Sequence, residues 1–517
     1  MVLYAPRPEQ VMVSAARRGL TLSESEAVLL IEIGHATFAG CARVAAEPAQ
    51  SLPVRYPRGG GSRPRPEENP LNAWAWRCDV PGADDGALAG RTVVLKDIIP
   101  VAGQPMSAGS AVLQAHVPSY DATVTSRVLD QGGRIVGIAA TEDMCLSGAS
   151  VSAVTGYVRN PRDPTRSAGG SSSGVAALIG NGAVDVGIGA DQGGSIRIPS
   201  SLSGIFGMKP TYGLIPYTGC AAIDPSLDHL GPMAGTVENL ARLLQAIAGF
   251  DEGLDPRQRA DMGAEDYLAG LSGADPSGLR VGLLRQGFDH LGLSDPRVDD
   301  AVRSSAETLA RLGAQVCEVD VPLHRRAMDI HGSLLLQGAA QYMVGSGGVG
   351  PIGKGFYDEA IGSAGAAGMA LHADQLYASV KFAIGIGGYL WDAYGGAYYA
   401  KAQNLAVSLR REMDRALREV DVLIMPTTCV QAPELPLDPV PGLDAVRLAL
   451  DPALISNTCA FNHTGHPALS VPIGPVGNLP VGLMLVARWY GETTLLRTAQ
   501  ALEEAGATYQ PEKGESA

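Results

Sequence analysis

The 517-residue chain has no excess of positive charge and no long uninterrupted apolar run. Its 39 Lys and Arg side chains are outnumbered by 53 Asp and Glu side chains, for a formal net charge of -14. This balance argues against a nucleic-acid groove as the main surface. No stretch approaches about 18 consecutive apolar residues, and MVLYAPRPEQ lacks the pattern of a signal peptide. We therefore expect a cytoplasmic protein with no nucleic-acid or membrane partner.

The chain also lacks paired cysteines. None of its seven cysteines belongs to a C-x-x-C motif, so the sequence predicts neither a disulfide framework nor a zinc cage. His463 and His466 are close in sequence but have no matching ligands nearby, so we expect no metal site. The thiols are expected to be reduced and mostly buried.

What the chain does have favours a large, turn-rich α/β enzyme. Apolar residues make up 46% of it, and its 65 Gly and 35 Pro show no fixed period. Residues 8–48 have the pattern of two helices, the second beginning with a capping box at Ser23 and Glu26. Residues 53–70 are rich in Pro, Gly and Arg and are typical of a linker or a surface loop. We predict a helical arm with its linker over residues 1–70.

From residue 71 onward, strand and helix patterns alternate. This alternation predicts a β-sheet between layers of helices over 71–517. The Ala-, Gly- and Tyr-rich stretch at about 324–415 is mostly helical in pattern, and we interpret it as an insertion. Two motifs that resemble nucleotide-binding sequences are weak evidence for such a site. Residues 345–350 match G-x-G-x-x-G without a preceding strand, and residues 348–355 resemble a phosphate loop but end in glycine. Both favour loops.

The most informative stretch runs from Arg166 to Gly213 and holds two Gly-Gly-Ser turns. A helix pattern and then a strand pattern separate Ser171 from Ser195. About nine helical residues advance roughly 14 Å and about six strand residues return roughly 20 Å, so the two serines can become neighbours. Because Gly193 and Gly194 lack side chains, backbone N–H groups there can converge on an oxyanion. Ser195 is therefore the candidate nucleophile.

A serine nucleophile needs a base, and two candidates are present. The pair Asp228 and His229 is adjacent in sequence, so its members cannot orient each other, and a surface turn explains them equally well. Lys96 ends an apolar strand whose alternation places Asp97 on the opposite face. A lysine buried without a carboxylate has a lowered pKa and can act as a base. The alternative is that Lys96 reaches the surface.

The motifs AGGSSSG and GADQGGSIRIPSSLSGIFGMKPT, with VVLKD upstream, resemble the amidase signature family of serine hydrolases over roughly residues 75–500. Within it, the chain looks most similar to bacterial acylamide amidases of nitrile metabolism. The resemblance implies an α/β fold with a large mixed β-sheet covered by helices on both faces, plus an N-terminal arm that forms a homodimer. It implies cofactor-free hydrolysis of small to medium aliphatic or aromatic amides to acid and ammonia.

Residue by residue, the resemblance implies a Ser-cisSer-Lys triad of Ser195, Ser171 and Lys96. The oxyanion would be held by backbone N–H groups from Gln192 through Gly193 and Gly194 to Ser195. We interpret Asp191 and Arg197 as a pair that braces this loop. The residues implied near the acyl group are small or aliphatic: Cys145, Leu146, Gly170, Leu227 and Leu450.

The sequence departs from the common family pattern at Ser173, Ala190 and Gln192, none of which is a triad group. Alternative functions are a glutaminase-type subunit of a tRNA-dependent amidotransferase, an aryl acylamidase, or a non-catalytic scaffold subunit. The scaffold alternative would require a damaged triad, whereas all three positions are intact. Hydrolysis of free amides by the chain alone would separate the amidase from the amidotransferase subunit.

Overall fold

The chain forms two compact units in the computed structural model, with their boundary between Ser51 and Leu52. The structure describes residues 5–48, 50–350 and 353–509. The first unit contains two helices, α1 (Pro8–Ala16) and α2 (Glu24–Ala46). Ser23 and Glu26 exchange hydrogen bonds at the start of α2, which confirms the capping box.

Helix α2 exposes most of its apolar side chains within its own unit. Only Ala27 of this helix is buried, whereas Ile33 and Val44 are 69% and 75% exposed. Among the described residues, α2 is one helix that is long and apolar enough, by length and composition alone, to cross a membrane.

The second unit is built on one mixed β-sheet, which comprises twelve strands in the described part of the chain. They are β1 (Gly61–Ser62), β2 (Trp74–Val80), β3 (Thr92–Lys96), β4 (Arg134–Ala139), β5 (Val186–Asp191), β6 (Phe206–Lys209), β7 (His229–Ala234), β8 (Arg280–Leu284), β9 (Gln315–Val319), β10 (Val422–Pro426), β11 (Ala468–Val476) and β12 (Leu479–Val486). Their order across the sheet is β1-β2-β4-β3-β5-β7-β6-β11-β12-β10-β8-β9. Strand β3 runs parallel to both of its neighbours, β4 and β5, whereas β5 and β7 are antiparallel.

Helices connect and cover these strands. They are α3 (Thr123–Asp130), α4 (Ser173–Gly180), α5 (Arg197–Ser203), α6 (Val237–Ile247), α7 (Pro296–Arg311), α8 (Ala327–Gly338), α9 (Ile361–His372), α10 (Ala378–Tyr394), α11 (Ala397–Glu419), α12 (Gly442–Ala449), α13 (Pro452–Ile455), α14 (Ala460–Thr464) and α15 (Glu492–Glu504). Residues 324–415, interpreted as a helical insertion, contain α8 to α10 and most of α11, with a π-helical segment, Ala339–Gly345, directly after α8. The motif at 345–350 therefore follows a helix, and Pro351 and Ile352 lie outside the described residues.

Apolar side chains on both faces of the sheet are buried against helices. In β3, Val93 and Leu95 belong to a cluster that includes residues of α3 and α6, whereas Val94 belongs to a cluster formed largely with α4. Side chains alternate along a strand, so Lys96 lies on the same face as Val94. The predicted α/β fold with helices on both faces is confirmed, and its geometry places Lys96 beneath α4.

The Pro-, Gly- and Arg-rich segment 53–70 lies inside the second unit, although its composition predicts a boundary near residue 70. Within it, β1 pairs with β2 at the sheet edge. Arg55 and Tyr56 both contact Asp130 at the end of α3, at 2.7 Å and 2.9 Å. Strand pairing and polar contacts thus attach this segment to the sheet unit, where it is mostly exposed, as expected for the surface loop rather than for the linker.

Candidate active site

Lys96 and Ser171 meet in the interior of the second unit. Lys96 ends β3, and Ser171 lies two residues before α4, which packs on the same face of the sheet. The Nζ atom of Lys96 lies 2.8 Å from Ser171 Oγ and 3.2 Å from the carbonyl oxygen of Ala190. Both side chains are fully buried. The alternative that Lys96 reaches the surface is therefore wrong.

The surroundings of Lys96 favour its neutral form. Burial lowers the pKa of Lys96, and the nearby Cys145 thiol and the carboxylates of Asp191 and Glu142 oppose this shift. None of the described carboxylates makes a hydrogen bond to its amine. A neutral amine beside a hydroxyl is an arrangement that can accept a proton.

Hydrogen bonds hold the backbone around Ser171 in place. The peptide bond between Gly170 and Ser171 is cis. Thr141 Oγ1 donates a 2.6 Å hydrogen bond to the Ser171 carbonyl, and the Ser172 N–H donates one of 3.1 Å to the Ser195 carbonyl. The two predicted turns therefore lie side by side. The structure contains no hydrogen bond between the hydroxyls of Ser171 and Ser195, both of which are described.

The carbonyl groups of the second Gly-Gly-Ser turn are bonded, whereas its N–H groups are not. Thr458 Oγ1 donates to the Gly193 carbonyl at 2.6 Å, and the Ile198 N–H donates to the Gly194 carbonyl at 2.7 Å. No described residue accepts a hydrogen bond from the backbone N–H groups of Gln192 to Ser195. These donors remain available to a developing negative charge.

Asp191 and Arg197 form the buried pair predicted from the sequence. Arg197 donates from Nη2 to Asp191 Oδ1 at 2.9 Å and from Nε to Oδ2 at 3.0 Å. Asn462 Nδ2 donates to the carbonyl and to Oδ1 of Asp191, each at 2.9 Å. Burial alone would raise the pKa of Asp191, but Arg197 and then Asn462 hold it well below its usual range. This bidentate pair fixes both ends of the 192–195 turn.

Ser195 opens onto a cavity of about 150 Å³. Cys145, Leu146 and Leu450 from the sequence prediction line this cavity, together with Gln192 and Gly193. Gly170 and Leu227 are not among the lining residues. Gly170 packs against the Ser147 carbonyl, and Leu227 is buried in a turn whose N–H groups bond to the Asp224 carbonyl. The cavity wall is mainly aliphatic.

Asp228 and His229 do not assemble with Ser195. His229 lies in β7, where its register partner is Asp191, and its Nδ1 is 2.7 Å from the Leu227 carbonyl. Burial, and then the charge of Lys209, hold the pKa of His229 well below its usual value. No hydrogen bond connects the described side chains of His229 and Ser195.

Three residues that contact the Ser195 turn are not predicted from the sequence. Thr458 bonds to the Gly193 carbonyl and Asn462 bonds to Asp191, directly before the turn. His331 on α8 lines the cavity with a ring that packs against Gly193. His331 Nδ1 is 3.3 Å from His463 Nε2, so His463 packs beside the site. Met328, His331 and Leu335 lie on one face of α8 and line the cavity together. The helical period of α8 could have indicated that these three residues face the same side.

The chain is similar in sequence to known proteins. A family model described as Amidase matches residues 67–496. An enantioselective amidase from Rhodococcus rhodochrous is 44% identical over 453 residues, which cover 86% of this chain and 85% of the relative. A glutamyl-tRNA(Gln) amidotransferase subunit from Halobacterium salinarum is 35% identical, over 84% of this chain and 100% of that protein.

The fold of this chain is also similar to that of a solved structure. Native peptide amidase from Stenotrophomonas maltophilia superposes with a TM-score of 0.67 at 29% identity, over 83% of this chain and 85% of that one. The family model covers most of the sheet unit, including Lys96 and both Gly-Gly-Ser turns, and the identity to the Rhodococcus enzyme extends over most of the chain. The chain therefore belongs to the amidase family.

Proposed function

We propose that this protein hydrolyses carboxylic amides to acid and ammonia through an acyl-enzyme on Ser195, with Ser171 as relay and Lys96 as base. The observation that carries the proposal is the 2.8 Å approach of Lys96 Nζ to Ser171 Oγ. The turn of Ser171 is hydrogen-bonded to the turn of Ser195, which lines the cavity. The name of the Rhodococcus relative supports the reaction class.

In the first step, Ser195 Oγ attacks the amide carbonyl carbon. Its proton passes to Ser171, whose own proton passes to neutral Lys96. The backbone N–H groups of Gln192 to Ser195 donate to the oxyanion, and we assign them this role because no described residue accepts from them. The two serine hydroxyls must approach each other when substrate binds, because they are not hydrogen-bonded without it.

Collapse of the tetrahedral intermediate breaks the C–N bond. The proton returns from Lys96 through Ser171 to the leaving nitrogen, so ammonia departs and the acyl group stays on Ser195. Water then attacks the ester by the same relay and releases the acid. No step requires a cofactor, because each proton is held by one of the three side chains. The Asp191–Arg197 pair keeps the donors fixed throughout.

A second candidate function is the amidotransferase subunit named in the relatives at about one-third identity. Such a subunit would take its ammonia from glutamine, which carries a charged amino group and a carboxylate. The cavity lining is largely Leu, Ile, Met, Gly and Ala, and its one carboxylate, Asp451, caps α13 through the Ala453 N–H at 2.9 Å. This apolar wall favours the free amidase.

The test is ammonia release by the purified full chain from propionamide, isobutyramide, benzamide and glutamine. We expect turnover of the apolar amides without any partner protein, and its complete loss in Ser195→Ala. Ser201→Ala is the matched control, because Ser201 is also buried but bonds to Thr428 Oγ1 at 3.1 Å, away from the cavity. Activity on glutamine alone would favour the amidotransferase function. Turnover retained by Ser195→Ala would remove Ser195 as nucleophile.

We also propose that the two-helix unit forms a homodimer through the exposed apolar side chains of α2. Leu29 and Ile33 are 53% and 69% exposed within that unit, one turn apart on one face. The test is the molar mass in solution of the full chain and of Ile33→Glu. We expect a dimer that the charged variant dissociates, with amidase activity retained. Co-sedimentation with lipid vesicles in place of dimerisation would contradict the proposal, since α2 also meets the length and composition of a membrane span.

A further inference from the structure

A second and larger apolar cavity adjoins the one at Ser195. Its volume is about 420 Å³, and it shares Cys145 and Ile223 with the Ser195 cavity as lining residues. These two side chains therefore form the common wall between the two cavities. Because Cys145 is also one of the neighbours that influence Lys96, the shared wall lies close to the reacting groups.

The larger cavity is lined mainly by apolar side chains and glycines, and no charged side chain is among its described lining residues. Its wall comes from the π-helical segment after α8, the loop that follows, α9 and the segment at 111–113. Ser346 supplies the one hydroxyl among the described lining residues, and it already donates to the Tyr342 carbonyl at 2.8 Å. The apolar part is represented by Val112, Leu113, Met343, Ile361 and Met369. Its natural occupant is therefore hydrocarbon.

The two volumes differ in what they can hold. A cavity of roughly 150 Å³ accommodates a molecule the size of benzene, whereas ligand pockets for larger organic molecules run from roughly 300 to 1,000 Å³. The Ser195 cavity thus has room for the scissile amide and a small acyl group. An acyl group longer than this must leave the Ser195 cavity, and the adjoining apolar volume is on the other side of Cys145 and Ile223.

We propose that the larger cavity binds the distal apolar part of the acyl group of substrates whose amide carbonyl is at Ser195, so that the enzyme prefers extended arylalkyl or alkyl amides. This inference rests on the proposed amide hydrolysis. Hydrolysis of a primary amide splits the C–N bond into the acyl group and ammonia. Because ammonia carries no apolar part, the acyl group is the part of the substrate that occupies the cavity. Cys145 and Ile223 are then specificity-determining residues at the passage between the two cavities.

Gly365 offers a direct way to fill the larger cavity. It lines the cavity from α9, and a side-chain carbon built on it meets no atom within 4 Å. The first carbon of a phenylalanine at this position therefore meets no backbone atom, and we expect its ring to occupy the cavity that Gly365 lines. Gly365→Ala is the matched control for the change in helix propensity, because it adds only one carbon. Gly385→Phe is the control for an added aromatic ring, because Gly385 is exposed on α10 and also has open space around it.

The experiment compares kcat/KM of the full chain and these variants on propionamide and on 6-phenylhexanamide. We expect Gly365→Phe to lose at least about tenfold in kcat/KM on 6-phenylhexanamide and less than about threefold on propionamide, because each lost methylene contact is worth roughly tenfold or more. Both controls should keep the wild-type ratio between the two amides. Equal changes on the two substrates in Gly365→Phe, or none on either, would overturn the proposal.

Binding measured without turnover separates this proposal from the hydrolytic mechanism. Calorimetry should detect binding of 6-phenylhexanamide to the Ser195→Ala variant. The double variant, Ser195→Ala with Gly365→Phe, should bind this amide at least about tenfold more weakly. Equal affinity in the two proteins would contradict the second cavity as the acyl site, whatever the nucleophile is. Conversely, amide turnover that survives Ser195→Ala would contradict the mechanism and leave the chain-length comparison intact as the test of the cavity.

Discussion

Lys96 Nζ lies 2.8 Å from Ser171 Oγ, although 75 residues separate them along the chain. The contact exists because β3 ends at Lys96 and α4 begins just after Ser171 on the same face of the sheet. Burial on that face removes the water that would stabilise an ammonium ion. The packing of α4 on β3 therefore sets the position of the proposed base and lowers its pKa.

Replacement of Lys96 by a side chain of similar length should stop catalysis without leaving a void in the site. Lys96→Met keeps the length of the side chain but removes the amine that accepts the Ser171 proton. We expect kcat/KM to fall by at least about 100-fold, the usual contribution of a general base. The measurement is ammonia release, with the folded state checked by thermal unfolding. Lys381→Met, which alters an exposed lysine on α10, should retain wild-type activity. Equal activity in the two variants would exclude Lys96 as the base.

The pH profile should follow the protonation of Lys96. Burial lowers its pKa below the ordinary value of 10.5, and only the neutral amine can accept a proton. The active form therefore grows as pH rises through the lowered pKa, so kcat/KM should increase with pH and then level off. The measurement is kcat/KM between about pH 5 and pH 10 on an uncharged amide, a range that spans a lysine pKa lowered by burial. A profile that stays flat, or one that falls as pH rises, contradicts a neutral lysine base.

Sequence patterns predicted the parts of the site that depend on local order. The helix and strand between the two turns became α4 and β5, because their apolar periods and flanking glycines are local signals. Alternation in β3 predicted that Lys96 and Asp97 face opposite ways, and Asp97 indeed bonds to Ser107 rather than to Lys96. The serines, the lysine and the Asp191–Arg197 pair could all be named on this basis and on the family resemblance.

The parts that the sequence did not predict come from distant segments. Thr458 reaches the Gly193 carbonyl from 265 residues away, and Asn462 reaches Asp191 from 271. No local period connects residues across such distances, so only the packing of α13 and α14 against the turn reveals them. The loop after β6 shows the same limit: Leu227 was predicted near the acyl group, whereas Ile223 lines the cavity.

Gly193 should not tolerate a side chain. A carbon built on Gly193 would lie 2.7 Å from His331 Nε2 and 2.9 Å from Ile455 Cδ1, closer than packed atoms allow. Either these two side chains or the turn that carries the free N–H groups must therefore move in Gly193→Ala. We expect the turn to move, with a loss of about 100-fold in kcat. Adding His331→Ala makes room for the methyl group and should recover part of that loss, relative to His331→Ala alone. No recovery in the double variant would show that the ring contact is not the cause.

His229 should be dispensable for the chemistry. Its Nδ1 lies 2.7 Å from the Leu227 carbonyl, so this nitrogen carries the proton and is committed to the backbone. His229→Asn retains a donor at the corresponding position. We expect kcat/KM within about tenfold of the wild type, which steady-state kinetics on a primary amide would measure. A loss comparable to that of Lys96→Met would instead support a histidine base.

Asp191→Asn should destabilise the second unit far more than the loss of a surface ion pair. Asp191 and Arg197 are both fully buried, so the change leaves an uncompensated guanidinium in the interior at a cost of about 3–5 kcal/mol. The pKa of Asp191 is held well below its usual range, so the ion pair stabilises the fold at neutral pH. That contribution decreases as pH falls below the pKa of an unfolded aspartate and is lost at the folded-state pKa.

Asp261→Asn is the matched control, since Asp261 and Arg259 pair at 2.7 Å with both side chains about two-thirds exposed, at 68% and 69%. Urea unfolding at neutral pH should show a large decrease in the free energy of unfolding for the first variant and almost none for the second. Similar decreases in both would mean that the buried pair does not brace the turn beside Ser195.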